Sequence, residues 1–381
     1  MSLKNRLSFR LWLTTALTVS LTCAPRQALN VLLVSFDTTR ADRLGCYGDS
    51  VASTPVLDSL AARGVRFERA YTPVPITLPS HATVLTGLYP TAHGVRNNGT
   101  FRLDQSIPTL TESFRKAGYA TAAFTGAFVL DSRYGLDRGF GLYDDDMYSG
   151  GRATGMLAQR ERRADEVAVR AVEWLKGNGK RPFFLFVHFY DPHRPFEAPE
   201  PFASRLNDPY RAEIAWTDHC LGRLLAVLDS LGLDGNTAVL MLGDHGEGLG
   251  EHGEQTHSTF IYNSTVHVPL ILRVPGKTEF ERRIVREPVS LADVAPTLAT
   301  LCGIEPPAGS QGMALATADG LVAPPANRPL YRECLYAWYC HGWSPLEGVL
   351  RGERKYVRAP RPELYDLSRD PSELENLAPG T

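Results

Sequence analysis

Four stretches concentrate the residues able to do chemistry. They are SFDTTRADRLGCYG from Ser35, PVPITLPSHATVLTGLYP from Pro73, HFYDPHRPF from His188 and LGDHGEGLGEHGEQTHSTFIY from Leu242. In the last, Asp244 and His245 follow an apolar run and precede Gly246, a residue that permits a tight turn and aims both side chains one way. A carboxylate and an imidazole suit Zn²⁺ or Mn²⁺, whereas Ca²⁺ prefers oxygen alone. Asp37 offers a second carboxylate and Thr38 follows it; taken singly, either would read as a turn or cap residue. Asp191, His193 and His257 form a candidate set for a second ion. Alternatively His193 touches a substrate oxygen and His257 orients a neighbour. Thr77 precedes Pro79 and Ser80, which read as a helix start, so its hydroxyl lies near the positive end of a helix dipole where an anionic ester would also sit. The plainer reading of Thr77 is a helix cap.

Apolar runs alternating with helical periodicity position these groups. LNVLLVSF, YATAAFTG, RPFFLFVHFY and NTAVLMLGDHG read as strands, with ERRADEVAVRAVEWLKGNG and AEIAWTDHCLGRLLAVLDSLG as helices between them. TPVLDSLAARG reads as a helix capped by Thr54, with Pro55 in its first turn and Gly64 at its end. The pattern predicts an α/β fold, a large mostly parallel sheet sandwiched by helices. Asp37, Asp191 and Asp244 fall at three strand ends, and ligands of open α/β sheets bind beyond the carboxyl ends of strands, so the three predict one shared site. After residue 305, PPAGSQG and LVAPPANRP read as linker, and short β-like pieces predict a small C-terminal antiparallel sheet subdomain. The expected division is a leader over 1–28, a catalytic domain over 29–305 and a C-terminal subdomain over 306–381.

Composition bounds the partners. With 381 residues, 43% hydrophobic and a net charge of -2, the chain is an ordinary globular protein with no electrostatic case for nucleic acid or an anionic membrane. Lys4, Arg6 and Arg10 precede the apolar LWLTTALTVSL, a run of signal-peptide length that predicts export to the periplasm or beyond. Cys23 follows; SLTC is a poor lipidation motif, so membrane contact is expected only if Cys23 carries an anchor. The six cysteines show no metal spacing; Cys334 and Cys340 are close enough in sequence to pair, although separate thiols are the simpler reading.

The landmarks DTTRADRLGCYG, TPVLDSLAARGVRFERAYT, LPSHATVLTGLYPTAHGV, PFFLFVHFYDPH, GDHGEGLGEHGE, VHVPLILRVPG, SLADVAPTLATLCGI and ELYDLSRDPSELENLA run in order from 29 to 377. In these the chain resembles the sulfatase-like branch of the alkaline-phosphatase superfamily. That resemblance implies a large helix-flanked sheet with a smaller C-terminal sheet domain, a divalent metal and an anionic ester substrate. Sulfatases of this kind carry C-x-P-S-R at the nucleophile loop and oxidise the cysteine to formylglycine. Here the loop reads Thr77-Leu78-Pro79-Ser80-His81, and threonine cannot become formylglycine. The family's Asp-Asp and Asp-Asn calcium ligands are Asp37-Thr38 and Asp244-His245. These departures resemble the phosphatase, phosphodiesterase and phosphoethanolamine-transferase relatives, which use Thr or Ser with zinc or manganese.

The sequence therefore predicts a hydrolase of phosphate mono- or diesters, or of phosphonate esters, with Thr77 as nucleophile and one or two Zn or Mn ions (Ca if it behaves as a typical sulfatase). The metal set would be Asp37, Thr38, Thr77, Asp244 and His245, with Asp191 and His257 for a second ion; His193, Asn98 and Arg40 would contact the ester. Other readings are a sulfate-ester hydrolase working without formylglycine, a phosphoethanolamine-type transferase, and a degenerate module that binds an anionic glycan.

Overall fold

The computed structural model describes residues 28–147, 152–154 and 159–378. Residues 1–27, which carry most of the expected leader and Cys23, lie outside the described residues. The main strands are β1 (Asn30–Phe36), β2 (Val65–Phe67), β3 (Ala120–Phe124), β4 (Leu142–Asp144), β5 (Phe183–Phe189), β6 (Thr237–Gly243), β7 (Leu270–Arg273) and β8 (Arg283–Val285). They make one eight-stranded sheet in the order β8-β2-β7-β6-β1-β5-β3-β4. β1 runs parallel to both β5 and β6, and β3 continues parallel beside β5. β7 is antiparallel to β6 and β2, which makes the sheet mixed. β1, β5 and β6 are buried along their whole length, which explains why they read as continuous apolar runs.

The helices α1 (Pro55–Ala62), α2 (Thr77–Thr86), α3 (Ala164–Asn178), α4 (Pro209–Ser230) and α5 (Val294–Leu301) cover the sheet. One apolar cluster joins Leu32, Val34 and Val187 to α1, α3 and α4; the other joins Leu33, Phe186 and Leu240 to α2 and α5. α1 starts where expected, but Thr54 makes no side-chain cap bond. The Asp218 carboxylate of α4 accepts from Val56 N (3.1 Å) and Leu57 N (2.8 Å) in its place. Gly64 is needed because a Cβ there would stand 2.4 Å from the Leu272 carbonyl oxygen of β7.

β9 (Leu330–Cys334), β10 (Leu346–Arg351), β11 (Arg354–Arg358) and β12 (Glu363–Asp366) form the small antiparallel sheet. Leu330, Leu350, Val357 and Tyr365 pack with Val74 and Ile76, so this sheet braces the segment that leads into Thr77. Glu333 N donates to the Pro73 carbonyl (2.8 Å), and the buried Glu333 carboxylate holds Arg96. Within the Pro-rich stretch before it, Leu315 and Ala316 bury themselves in the larger core. Cys334 and Cys340 are separate thiols, the first buried with its Sγ against the Ser258 carbonyl, the second exposed. Among the described residues no helix is long and apolar enough to cross a membrane.

Candidate active site

Parallel pairing sets β1, β5 and β6 side by side, so Asp37, the loop after Phe189, and Asp244 all emerge at one sheet edge. The first turn of α2 faces them. Thr77 is the first residue of that helix and does not cap it. Its Oγ1 lies 3.2 Å from His245 Nε2. His245 Nδ1 is 2.9 Å from the Gly246 carbonyl, an acceptor only, so Nδ1 carries the hydrogen and Nε2 accepts the Thr77 hydroxyl proton. Gly246 is not in the left-handed region; it is required because a Cβ would sit 2.1 Å from the Ser264 carbonyl oxygen.

His245 Nε2 also lies 3.5 Å from Asp37 Oδ1 and 3.5 Å from Asp244 Oδ2. All three side chains are fully buried. Asp37 Oδ1, Asp37 Oδ2 and Asp244 Oδ2 have no hydrogen-bond partner. Buried, unpartnered carboxylate oxygens are costly unless something else satisfies them. Burial, and then the charge of Asp37, drive the Asp244 carboxyl well above the usual range. Burial opposes ionisation of Asp37 too, but the His188 contact and the nearby His245 hold it well below the usual range. Two carboxylates sharing a dry site each disfavour the other's charge. Burial, then the neighbouring His257, lowers His245 to about 3, so its imidazole is neutral and its Nε2 lone pair is available. Asp37, Asp244 and His245 have ligand atoms within 4.8 Å of one another. The donor set fits a divalent ion that accepts nitrogen.

The remaining expected residues distribute differently. Thr38 is not a ligand: its Oγ1 donates to the Pro192 carbonyl (2.7 Å), while its N–H donates to Asp244 Oδ1 (3.2 Å). Its φ of 47° is rare for a β-branched residue and costs roughly 1–3 kcal/mol, a strain that turns the loop after Asp37 toward Asp244. Tyr210 OH donates to the Thr38 carbonyl (2.6 Å) and locks that turn. Asp191 is not brought to the cluster either. Its Oδ2 accepts from Ala164 N (2.8 Å) and caps α3, a use of a strand-end acid that its own segment does not reveal. Arg40 is spent on Asp42, Glu251 and the Glu247 carbonyl, which leaves its guanidinium no donor pair for an ester. Asn98 Oδ1 accepts from Leu78 N (2.9 Å), so Asn98 fixes the start of the nucleophile helix.

His193 and His257 do stand at the site. The rings of His245 and His257 have centroids 4.5 Å apart, and those of His193 and His257 5.2 Å apart. His193 Nδ1 donates to the Arg194 carbonyl, and the ring stacks on Tyr190. His257 Nδ1 lies 3.2 Å from Glu247 Oε1. Burial opposes the charged form of His257, yet the Glu247 hydrogen bond and charge raise it above its ordinary value. Three buried residues escaped the sequence reading: Glu247, His81 on α2 and His188 on β5. The only signals were a polar ring inside the apolar run PFFLFVHFY and a histidine at the place of the motif arginine.

The chain is similar to known proteins along most of its length. Residues 29–304 match the family described as Sulfatase, and residues 250–380 match the family described as N-sulphoglucosamine sulphohydrolase, C-terminal. The chain is 27% identical to the uncharacterized sulfatase YidJ of Escherichia coli K12, with 91% of this chain and 82% of that one covered. It is 25% identical to the Delta 4,5-hexuronate-2-O-sulfatase of Bacteroides thetaiotaomicron, covering 92% and 84%. Among solved structures, the phosphonate monoester hydrolase of Agrobacterium radiobacter superposes with a TM-score of 0.76 at 25% identity, covering 93% and 92%.

Proposed function

The chain belongs to the sulfatase family and is an ester hydrolase of a metal-dependent group, and on that premise we propose that it cleaves phosphate mono- or diesters or phosphonate esters through Thr77. The observation that carries the reading is the Thr77 hydroxyl directed at the neutral His245 Nε2 within a pocket of unpartnered carboxylate oxygens. A formylglycine expels sulfate through its second hydroxyl; Thr77 has one, so release of its covalent adduct needs water or an acceptor alcohol. Phosphoryl and phosphonyl adducts can be displaced in that way by a second in-line attack at phosphorus.

Asp37, Asp244 and His245 would hold the divalent ion, and Zn²⁺ or Mn²⁺ suits their mixed donors. When bound, such an ion lowers the pKa of a coordinated hydroxyl and offsets charge on the ester. The protein's own residues do the rest. Asn98 and the small C-terminal sheet hold the start of α2, so that Thr77 keeps its direction. His193 and the Glu247–His257 pair border the same space, where an imidazole can donate a proton to the departing oxygen or take one from an incoming water.

The superposition on a phosphonate monoester hydrolase supports the phosphorus reading, and the sulfatase relatives support sulfate esters as the second. The test is a panel of 4-nitrophenyl phosphate, phosphodiester, phosphonate and sulfate esters assayed with wild type and Thr77→Ala. The proposal expects the highest kcat/KM on a phosphorus ester and its loss in Thr77→Ala. A dominant sulfatase activity would overturn it.

A further inference from the structure

His81 and His188 lie directly beneath the site, both fully buried, with ring centroids 4.9 Å apart in an edge-to-face contact. Their protons can be placed from their partners. His81 Nδ1 is 2.8 Å from the Thr77 carbonyl, so this nitrogen carries the hydrogen; His81 Nε2 accepts from Ser35 Oγ at 3.0 Å. His188 Nδ1 accepts from Gly126 N at 3.4 Å, which leaves the hydrogen on Nε2, 3.4 Å from Asp37 Oδ2. Register makes the pair possible, because His188 stands opposite Ser35 in the parallel β1–β5 ladder. Burial, and then His188, lowers His81 to about 3, in keeping with a neutral ring.

The nitrogens of these two rings and an Asp244 oxygen are close enough to share an ion. The hydrogen-bond pattern argues otherwise: each ring turns an N–H, not a lone pair, toward the site. Resting on the reading of Asp37 as a ligand and Thr77 as nucleophile, we propose that His81 and His188 are a pair of positioning residues and not ligands. His188 Nε2–H orients the Asp37 carboxylate, and His81 Nδ1–H anchors the Thr77 backbone. As they stand, 3.4 Å apart, His188 Nε2 and Asp37 Oδ2 are both buried and without a hydrogen-bond partner, and they face each other as site contacts do before a ligand tightens them. Partners that orient a metal ligand typically change metal affinity 10–100-fold when removed.

The two assignments use different ring nitrogens, and this makes them separable. A glutamine amide nitrogen reaches about as far along the side chain as Nε2, and an asparagine amide nitrogen as far as Nδ1. The experiment replaces each histidine in the full chain by Leu, Gln and Asn. Bound Zn²⁺ is counted by elemental analysis, Zn²⁺ affinity is measured by chelator competition, and kcat and KM are measured on an aryl phosphonate ester. For His188→Leu the expected result is a roughly 10–100-fold weaker Zn²⁺ affinity with the number of bound ions unchanged. His188→Gln should restore it and His188→Asn should not. For His81→Leu, kcat should fall roughly 10–100-fold at nearly constant KM, with rescue by His81→Asn and not by His81→Gln. If a Leu variant fails to fold, the contrast between Gln and Asn decides alone. Loss of a bound ion on removing either histidine would make it a ligand and overturn the proposal, as would equal behaviour of Gln and Asn. Full activity in Thr77→Ala would sink the nucleophile assignment but leave the affinity pattern at His188 to decide the positioning of Asp37.

Discussion

Thr77 Oγ1 and His245 Nε2 stand 3.2 Å apart, with the imidazole hydrogen committed on its far side to the Gly246 carbonyl. Nε2 is the ring's one free lone pair and the one His245 would offer to an ion. In the loaded site the Thr77 oxygen would lie beside the metal, which would lower its pKa, and the imidazole would not serve as its base. Thr77→Ala should therefore lower kcat on the best ester by roughly 10³-fold or more while the melting temperature changes little. Thr77→Ser should keep part of the activity, because it preserves the oxygen. Steady-state kinetics with a parallel thermal melt check both, and near-wild-type turnover by Thr77→Ala would contradict the role.

The unpartnered oxygens of Asp37 and Asp244 make a prediction about stability. In chelated protein the two buried acids oppose each other, so Asp244→Asn should melt no lower than wild type. Added Zn²⁺ or Mn²⁺ at about 100 times its dissociation constant should stabilise wild type by about 2.7 kcal/mol and leave Asp244→Asn almost unmoved. Differential scanning calorimetry with and without metal measures this. An equal shift in both proteins would place the ion elsewhere.

His93 gives a pH signature away from the metal ligands. It is buried between Thr83 Oγ1 and the Val95 N–H, and burial, then Arg96, lowers it to about 3. The unfolded chain protonates this histidine near 6.5, whereas the folded protein does so only near 3. As pH falls through that window the unfolded state binds more protons, so stability is lost on acidification. At pH 5 the loss is about 2 kcal/mol for this one group. His93→Asn removes that dependence, and its stability deficit relative to wild type should shrink by about that amount between pH 8 and pH 5. Urea titrations at the two pH values test it; a deficit independent of pH would contradict a neutral buried His93.

Sequence pattern revealed what depended on strand ends and missed what depended on partners from elsewhere. That Asp37, Asp244 and His245 come together was legible, because continuous apolar strands deliver them to one edge of the sheet. Asp191 sits at an equivalent strand end, but the N–H groups at the start of α3 claim it. Thr38 was misread as a ligand because its left-handed backbone, which turns the hydroxyl to Pro192, leaves no trace in residue type. Arg40 was misread because the acids that occupy it come partly from a loop some two hundred residues away. His81 and His188 hid inside apolar elements, where a single histidine is more often packing than chemistry.

The C-terminal sheet should matter to the site through Glu333. This fully buried carboxylate takes Arg96 and the Tyr331 hydroxyl, while its backbone holds Pro73, four residues before Thr77. Glu333→Ala leaves those donors without their acceptor and should destabilise the protein by roughly 2–3 kcal/mol. It should also lower kcat, since the segment through Val74 and Ile76 loses part of its brace. Chemical denaturation and kinetics read the two effects; a destabilised variant with unchanged kcat would separate the small sheet from catalysis.

On the proposed reading, Thr77 Oγ1 is the atom that bonds to phosphorus. Acid-quenching the enzyme during turnover of an aryl phosphonate ester and mapping its peptides by mass spectrometry tests that bond itself. The expected result is a phosphonyl group on the peptide containing Thr77, at that residue, and none in Thr77→Ala. Rapid turnover with Thr77 unmodified, and with the adduct on another side chain, would contradict it.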